Sequence, residues 1–76
     1  MKEDVIQISP DVLSGTPVFK GTRVPVTFLF DYLEEGEPLE EFLEGYPSVT
    51  REQAVAVLEI AERLIIQHDL VNENPA

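Results

Sequence analysis

Lysine, glycine and threonine stand together once in this chain, in residues 15–22, which read G-T-P-V-F-K-G-T. These residue types build phosphate cradles, where backbone N–H groups and a lysine surround the anion. That chemistry needs the order G-x-x-x-x-G-K-[ST] between a strand and a helix. Here the lysine precedes the glycine, Pro17 removes a backbone donor, and 76 residues are too few for the surrounding α/β fold. The stretch instead reads as a structural corner: Gly15 and Pro17 turn the chain, Val18 and Phe19 pack, and Gly21 turns it back. A turn requires neither Lys20 nor Arg23. Arg23 is therefore expected to anchor either the corner itself or an acidic or phosphate group of a partner.

Other chemistries find little support. Asp31, Glu34 and Glu35 are close in sequence, but they fall at a helix end and read as solvated; acid–base catalysis needs a pocket that shifts a pKa. A metal-dependent nuclease needs acids converging on a rigid scaffold. His68 is the single histidine and there is no cysteine, so thiolate metal sites and disulfides are excluded. No catalytic residue, cofactor or metal is expected, and the chain is not read as an enzyme.

The charge balance is the strongest compositional signal. Fifteen Asp and Glu face five Lys and Arg, a formal net charge of −10. A domain that grips nucleic acid by itself is normally basic, because its cations replace phosphate counterions. An acidic domain suits a basic partner surface, or its acidity serves solubility. No apolar run is long enough to cross a membrane, and M-K-E-D-V-I-Q-I lacks the features of a signal peptide. A cytoplasmic location is expected. A domain of this size buries only about 60% of its unfolded surface, so self-association or docking onto another protein is expected to help stabilise it.

The elements follow from spacing. Residues 5–8, V-I-Q-I, alternate like a short strand, and residues 11–13 suit a single helical turn after Pro10. Val18-Phe19 and Thr22-Arg23-Val24 read as two short extended pieces about a Lys20-Gly21 turn. Pro25 suits the first position of a helix in which Val26, Leu29, Phe30 and Leu33 form one stripe and Phe28 and Tyr32 a second. Gly36 closes it. After Pro38, Leu39, Phe42, Leu43 and Tyr46 repeat the spacing, with Glu40, Glu41 and Glu44 facing water. Thr50 and Gln53 form a capping box for a third helix. On that helix Ala54, Val57, Leu58, Ala61, Leu64 and Ile65 share one face, down to about Gln67. The expected architecture is mainly α: an extended N-terminal arm or hairpin over residues 1–24, a three-helix helix-turn-helix core over 25–67, and a polar tail over 68–76.

The run from Ile8 to Arg63 resembles the domain-of-unknown-function family 433. The residues that carry the likeness are Gly15, Pro17, Phe19, Gly21-Thr22-Arg23-Val24 and Val26, then Gly36, then Tyr46-Pro47-Ser48-Val49-Thr50. The resemblance implies a homeodomain-like or winged helix-turn-helix unit. It also implies an antitoxin of the VapB type, which blocks a PIN-like ribonuclease toxin and binds its own operator as a dimer.

These two roles call on different residues. For DNA, Arg51 and Gln53 would lead the third helix, Gln53 is suited to an adenine edge, and Lys20, Arg23 and Arg51 would contact phosphate. Glu52, Glu59 and Glu62 oppose that role, and the net charge disfavours it. For protein binding, Phe28 and Tyr32 are surplus to one stripe, and Val55 and Ile66 lie on the arc of the third helix that faces away from the core. Surplus apolar surface marks an interface. The leading expectation is an antitoxin-like module, a homodimer that meets a PIN-like ribonuclease through Phe28, Tyr32, Val55 and Ile66. The alternatives are a DNA-binding regulator and a stand-alone self-associating domain.

Overall fold

The structure is a computed structural model, and it describes residues 2–67. In chain order they form a 3-10 turn Lys2–Val5, strand β1 (Ile6–Gln7), a 3-10 turn Leu13–Gly15, strand β2 (Val18–Phe19), and helices α1 (Thr27–Glu34), α2 (Leu39–Gly45) and α3 (Arg51–Gln67). The fold is mainly α, with three helices and one small two-stranded antiparallel sheet near the N-terminus. Residues 68–76, including His68, lie outside the described residues.

The sheet is assembled from residues far apart in sequence. Ile6 pairs with Phe19 and Gln7 with Val18. On its other side β2 makes a single bridge, Val18 to Pro25, flanked by Phe19 N–H to the Val24 carbonyl and Val26 N–H to the Pro17 carbonyl, both at 3.0 Å. The Lys20-Gly21 turn is therefore where the sequence puts it, and Gly21 holds φ 80°, which L side chains rarely adopt. Its second arm, however, contributes one bridge instead of a strand, because Pro25 has no N–H to continue a ladder.

Two expected boundaries move. The helical turn expected over residues 11–13 lies instead at Leu13–Gly15, and its backbone is left-handed, with φ 49° at Leu13 and 57° at Ser14. Few non-glycine residues adopt this region. Pro25, expected to open the first helix, is held by the bridge to Val18, so α1 begins two residues later. Its far end follows the sequence: the Gly36 N–H bonds to the Leu33 carbonyl at 3.0 Å and Gly36 takes φ 86°.

The core lies where the sheet meets the three helices. Phe19, Leu29 and Phe42 are fully buried at its centre, with Val49, Ala54 and Val57 packed around them. Val24, Val26, Phe30, Leu33, Leu39 and Leu43 close over this cluster as half-buried residues. The Lys2–Val5 turn lies along α3. Thr50 and Gln53 cap α3 reciprocally: Gln53 N–H donates to Thr50 Oγ1 and Thr50 N–H donates to Gln53 Oε1, each at 3.0 Å. The capping box read from the sequence is thus present, and it satisfies two donors that a helix start otherwise leaves open.

Candidate functional site

The Gly21-Thr22-Arg23 corner is built by its middle residue. The Thr22 hydroxyl donates to the Phe19 carbonyl at 2.7 Å and accepts the Val24 N–H at 3.0 Å. Gln7 Oε1 receives the Gly21 N–H at 3.3 Å from across the sheet. The signal for this role is local: a hydroxyl next to a turn glycine can bond the neighbouring backbone groups. Lys20 and Arg23 are both exposed, and neither forms an ion pair among the described residues. Arg23 therefore does not anchor the corner, which leaves the other half of its expectation, a partner group, as the open one.

The two residues expected to read or grip DNA from α3 are already occupied. Arg51 Nη2 reaches Glu40 Oε2 at 3.1 Å and ties α3 to α2. The Glu40 carboxyl is held below the usual carboxylate range, first by its own backbone N–H and then by Arg51. Gln53 uses both ends of its amide. Its oxygen receives Thr50 N–H, and its nitrogen donates to the Lys20 carbonyl at 3.0 Å. Gln53 thus caps α3 and ties the Lys20 turn to the helix with the same donor and acceptor that an adenine edge would engage.

The partner-binding candidates separate into three settings. Tyr32, expected as surplus surface, is half-buried, with its ring 5.6 Å from that of Phe42 and 6.1 Å from that of Tyr46. Its hydroxyl sits over Gly45, where an added Cβ would come within 3.1 Å. α2 thus returns to cover part of the second stripe of α1, while Tyr32 still lines the cleft described next. Phe28 stays at the rim, 37% exposed, with its ring 5.6 Å from Tyr46. Five rings thus run from the core outward: Phe19, Phe42, Tyr32, Tyr46 and Phe28. Tilted and edge-on ring pairs of this kind are favourable beyond the area they bury. Val55 is exposed on α3 beside a shallow hollow that Val5, Ala56, Arg51 and Gln53 also line, and Ile66 is exposed at the far end of the same helix.

Beside the rings lies an acidic cleft. Asp31, Glu35, Glu37 and Glu41 line it around Tyr32. The Tyr32 hydroxyl is pushed above its ordinary value by burial first, then by Tyr46, Glu37 and Glu41. Asp31, Glu34, Glu35, Glu37, Glu40, Glu41 and Glu44 are all exposed, and residues 24–50 hold no lysine or arginine. The sequence reading took the first three as a solvated helix end. The cation-free run was the signal for a larger feature, since the tight corner after α1 brings Glu37 and Glu41 back alongside Asp31 and Glu35.

Among the described residues no three His, Cys, Asp or Glu side chains are grouped to hold a metal ion. No helix there is long and apolar enough to cross a membrane.

Residues 6–61 match the family described as Protein of unknown function (DUF433). The chain belongs to that family. A crystal structure of a DUF433 member from Anabaena variabilis is similar at TM-score 0.70 and 35% identity, over 90% of this chain and 67% of that one. A curated relative, the uncharacterized protein y4eO of Sinorhizobium fredii, is 42% identical over 50 residues, which are 66% of this chain and 23% of y4eO. The chain thus spans about a quarter of that relative's length. The residues that carried the likeness in the sequence find structural uses here: Thr22 pins the corner, Gly36 ends α1, Tyr46 joins the ring cluster, Val49 is buried and Thr50 caps α3. Arg23, exposed and without an ion pair among the described residues, has no such use.

Proposed function

We propose that this chain is a non-catalytic, antitoxin-like interaction module that binds and neutralises a PIN-like ribonuclease as a dimer. The observation that carries the proposal is the acidic cleft between α1 and α2 around Tyr32, in a ring cluster whose outer member, Phe28, is exposed. Carboxylates on a rigid helical corner give a basic partner a complementary field, and an exposed aromatic edge supplies an anchor. A nuclease surface that binds RNA phosphates is basic, and the cleft offers it carboxylates in their place. A ribonuclease toxin acts on cellular RNA, so the proposal puts the pair in the cytoplasm.

The helix-turn-helix reading, α2 and α3 about the corner at residues 46–50, belongs to this proposal as scaffold rather than as DNA reader. A DNA-binding role would rest on Lys20 and Arg23, since Arg51 and Gln53 are engaged within the chain. Two exposed cations on a molecule of net charge −10 supply little of the counterion release that DNA binding needs.

The test is co-purification from the native cell, followed by an RNase assay with the recovered partner. A stoichiometric nuclease that the chain inhibits supports the proposal. Phe28→Ala and Glu37→Lys should each weaken that inhibition about tenfold or more. Recovery of a specific DNA fragment with no nuclease would overturn it in favour of the regulator, and an operator shift lost in Arg23→Ala would identify the contact.

A further inference from the structure

Among the described residues, left-handed backbone at residues other than glycine falls in residues 8–17, the loop that joins β1 to β2. Leu13 and Ser14 take φ 49° and 57°, followed by Gly15 at 88°. Only the glycine suits that region; for other L residues it is costly. The residues on either side are already extended, Val12 at φ −119°, ψ 108° and Thr16 at φ −64°, ψ 133°. Pro10 and Pro17 bias the residues before them the same way. Straightening residues 13–15 therefore opens the loop into one extended segment. No buried contact opposes that change: every residue of the loop is exposed or half-buried, Ile8 and Leu13 among the exposed ones. Its backbone hydrogen bonds, such as Gly15 N–H to the Val12 carbonyl and Thr16 N–H to the Leu13 carbonyl at 3.1 Å, are local, and water replaces them at small net cost.

We infer that this loop is a hinge through which two copies of the chain exchange their N-terminal arms, residues 2–7 of each pairing with β2 of the other. The arm's partners follow the loop in sequence. Ile6 pairs with Phe19 and Gln7 with Val18, the Val5 carbonyl receives the Lys20 N–H at 2.8 Å, and the Lys2–Val5 turn lies along α3. Val5 and Ile6 are half-buried against the core. These contacts are the same whichever copy supplies the arm, so exchange keeps them and releases the strain of two loops. The same identity fixes the occupant, because a seat shaped by this chain's own arm is refilled by the arm of another copy. The ten residues of the loop, fully extended, span about 33 Å, which carries the arm onto a neighbour. The inference deepens the dimer of the function proposed above by giving it a route that does not use the acidic cleft, and the route is argued from the loop alone.

The full chain has no cysteine, so a Gln7→Cys and Val18→Cys pair, placed at directly opposed residues of the sheet, reports which copy supplies the arm. Size-exclusion of concentrated protein should separate a monomer from a dimer. After mild oxidation the dimer of this variant should run as a covalent pair in a non-reducing denaturing gel, and the monomer as a single chain. Hinge variants should move the equilibrium in opposite directions, with unchanged helical circular dichroism. Leu13→Pro forbids a positive φ and should lower the Kd about tenfold or more, whereas Ser14→Gly relieves the strain and should raise it about tenfold or more. A wild type that stays monomeric at every concentration would overturn the inference. So would a dimer whose cysteines close within each chain, or one that neither hinge variant shifts. None of these readouts involves a nuclease, so a failure here and a failure to recover a nuclease are told apart.

Discussion

The two halves of α3 have the same apolar spacing and opposite surroundings. Ala54 and Val57 are packed beneath Phe19, Leu29 and Phe42, whereas Leu64 and Ile65 reach past the end of the core into water. Helical periodicity selects a face, but it does not say how far the rest of the chain extends to cover that face. The covered half is held at its start by the capping box, the Gln53–Lys20 tie and the Arg51–Glu40 pair. Among the described residues nothing covers the second half.

The largest test of this contrast sets one buried residue against one exposed residue. Phe42→Ala removes the ring at the centre of the cluster and should cost about 3–5 kcal/mol in urea unfolding. Leu64→Ala, measured at concentrations where the chain is monomeric, should change stability by less than about 0.5 kcal/mol. Comparable losses at the two sites would mean that the end of α3 is covered within one chain.

A smaller effect is expected at the cap. Thr50→Ala and Gln53→Ala should each lower stability by about 1 kcal/mol in thermal unfolding. The two bonds close one reciprocal unit, so the double variant should lose clearly less than the sum of the singles. Strict additivity would show that the two side chains act separately.

The smallest effect is electrostatic. The folded-state pKa of Glu40 is depressed, so its contribution to stability is present above its unfolded value and fades as pH falls through the folded one. In Arg51→Ala the Glu40 carboxyl should titrate higher by NMR while staying below the ordinary range, because its own backbone N–H remains its largest cause. No movement of the Glu40 titration would mean that the pair does not persist in solution.

Much of the helical architecture was legible in the residues. Thr50 and Gln53 announced α3, Pro38 and the Leu39, Phe42, Leu43 spacing announced α2, and Gly36 marked the end of α1. These signals are local: a cap, a turn glycine and a 3.6-residue period act within one or two helical turns. The sheet was less legible, since β2 takes its main partner from Ile6 and Gln7, and the 3-10 turn beside it is left-handed at Leu13 and Ser14, residues with no preference for that region. For the candidate site, exposure of Phe28, Val55 and Ile66 could be read from helical arcs, whereas the burial of Tyr32 could not. That depends on α2 folding back to set Phe42 and Tyr46 against its ring.

By itself the sequence determined the three helices, the capping box, the turn at Gly21 and the strong negative charge, because each is a property of neighbouring residues or of their sum. Tertiary structure alone decided which polar groups remain available. Gln53 is bound to a carbonyl 33 residues earlier and Arg51 to a carboxylate on another helix, while the corner after α1 gathers carboxylates from α1 and α2 into one cleft. Periodicity assigns side chains to a face. Only the packed chain, through long-range contacts, decides which of those faces are already occupied.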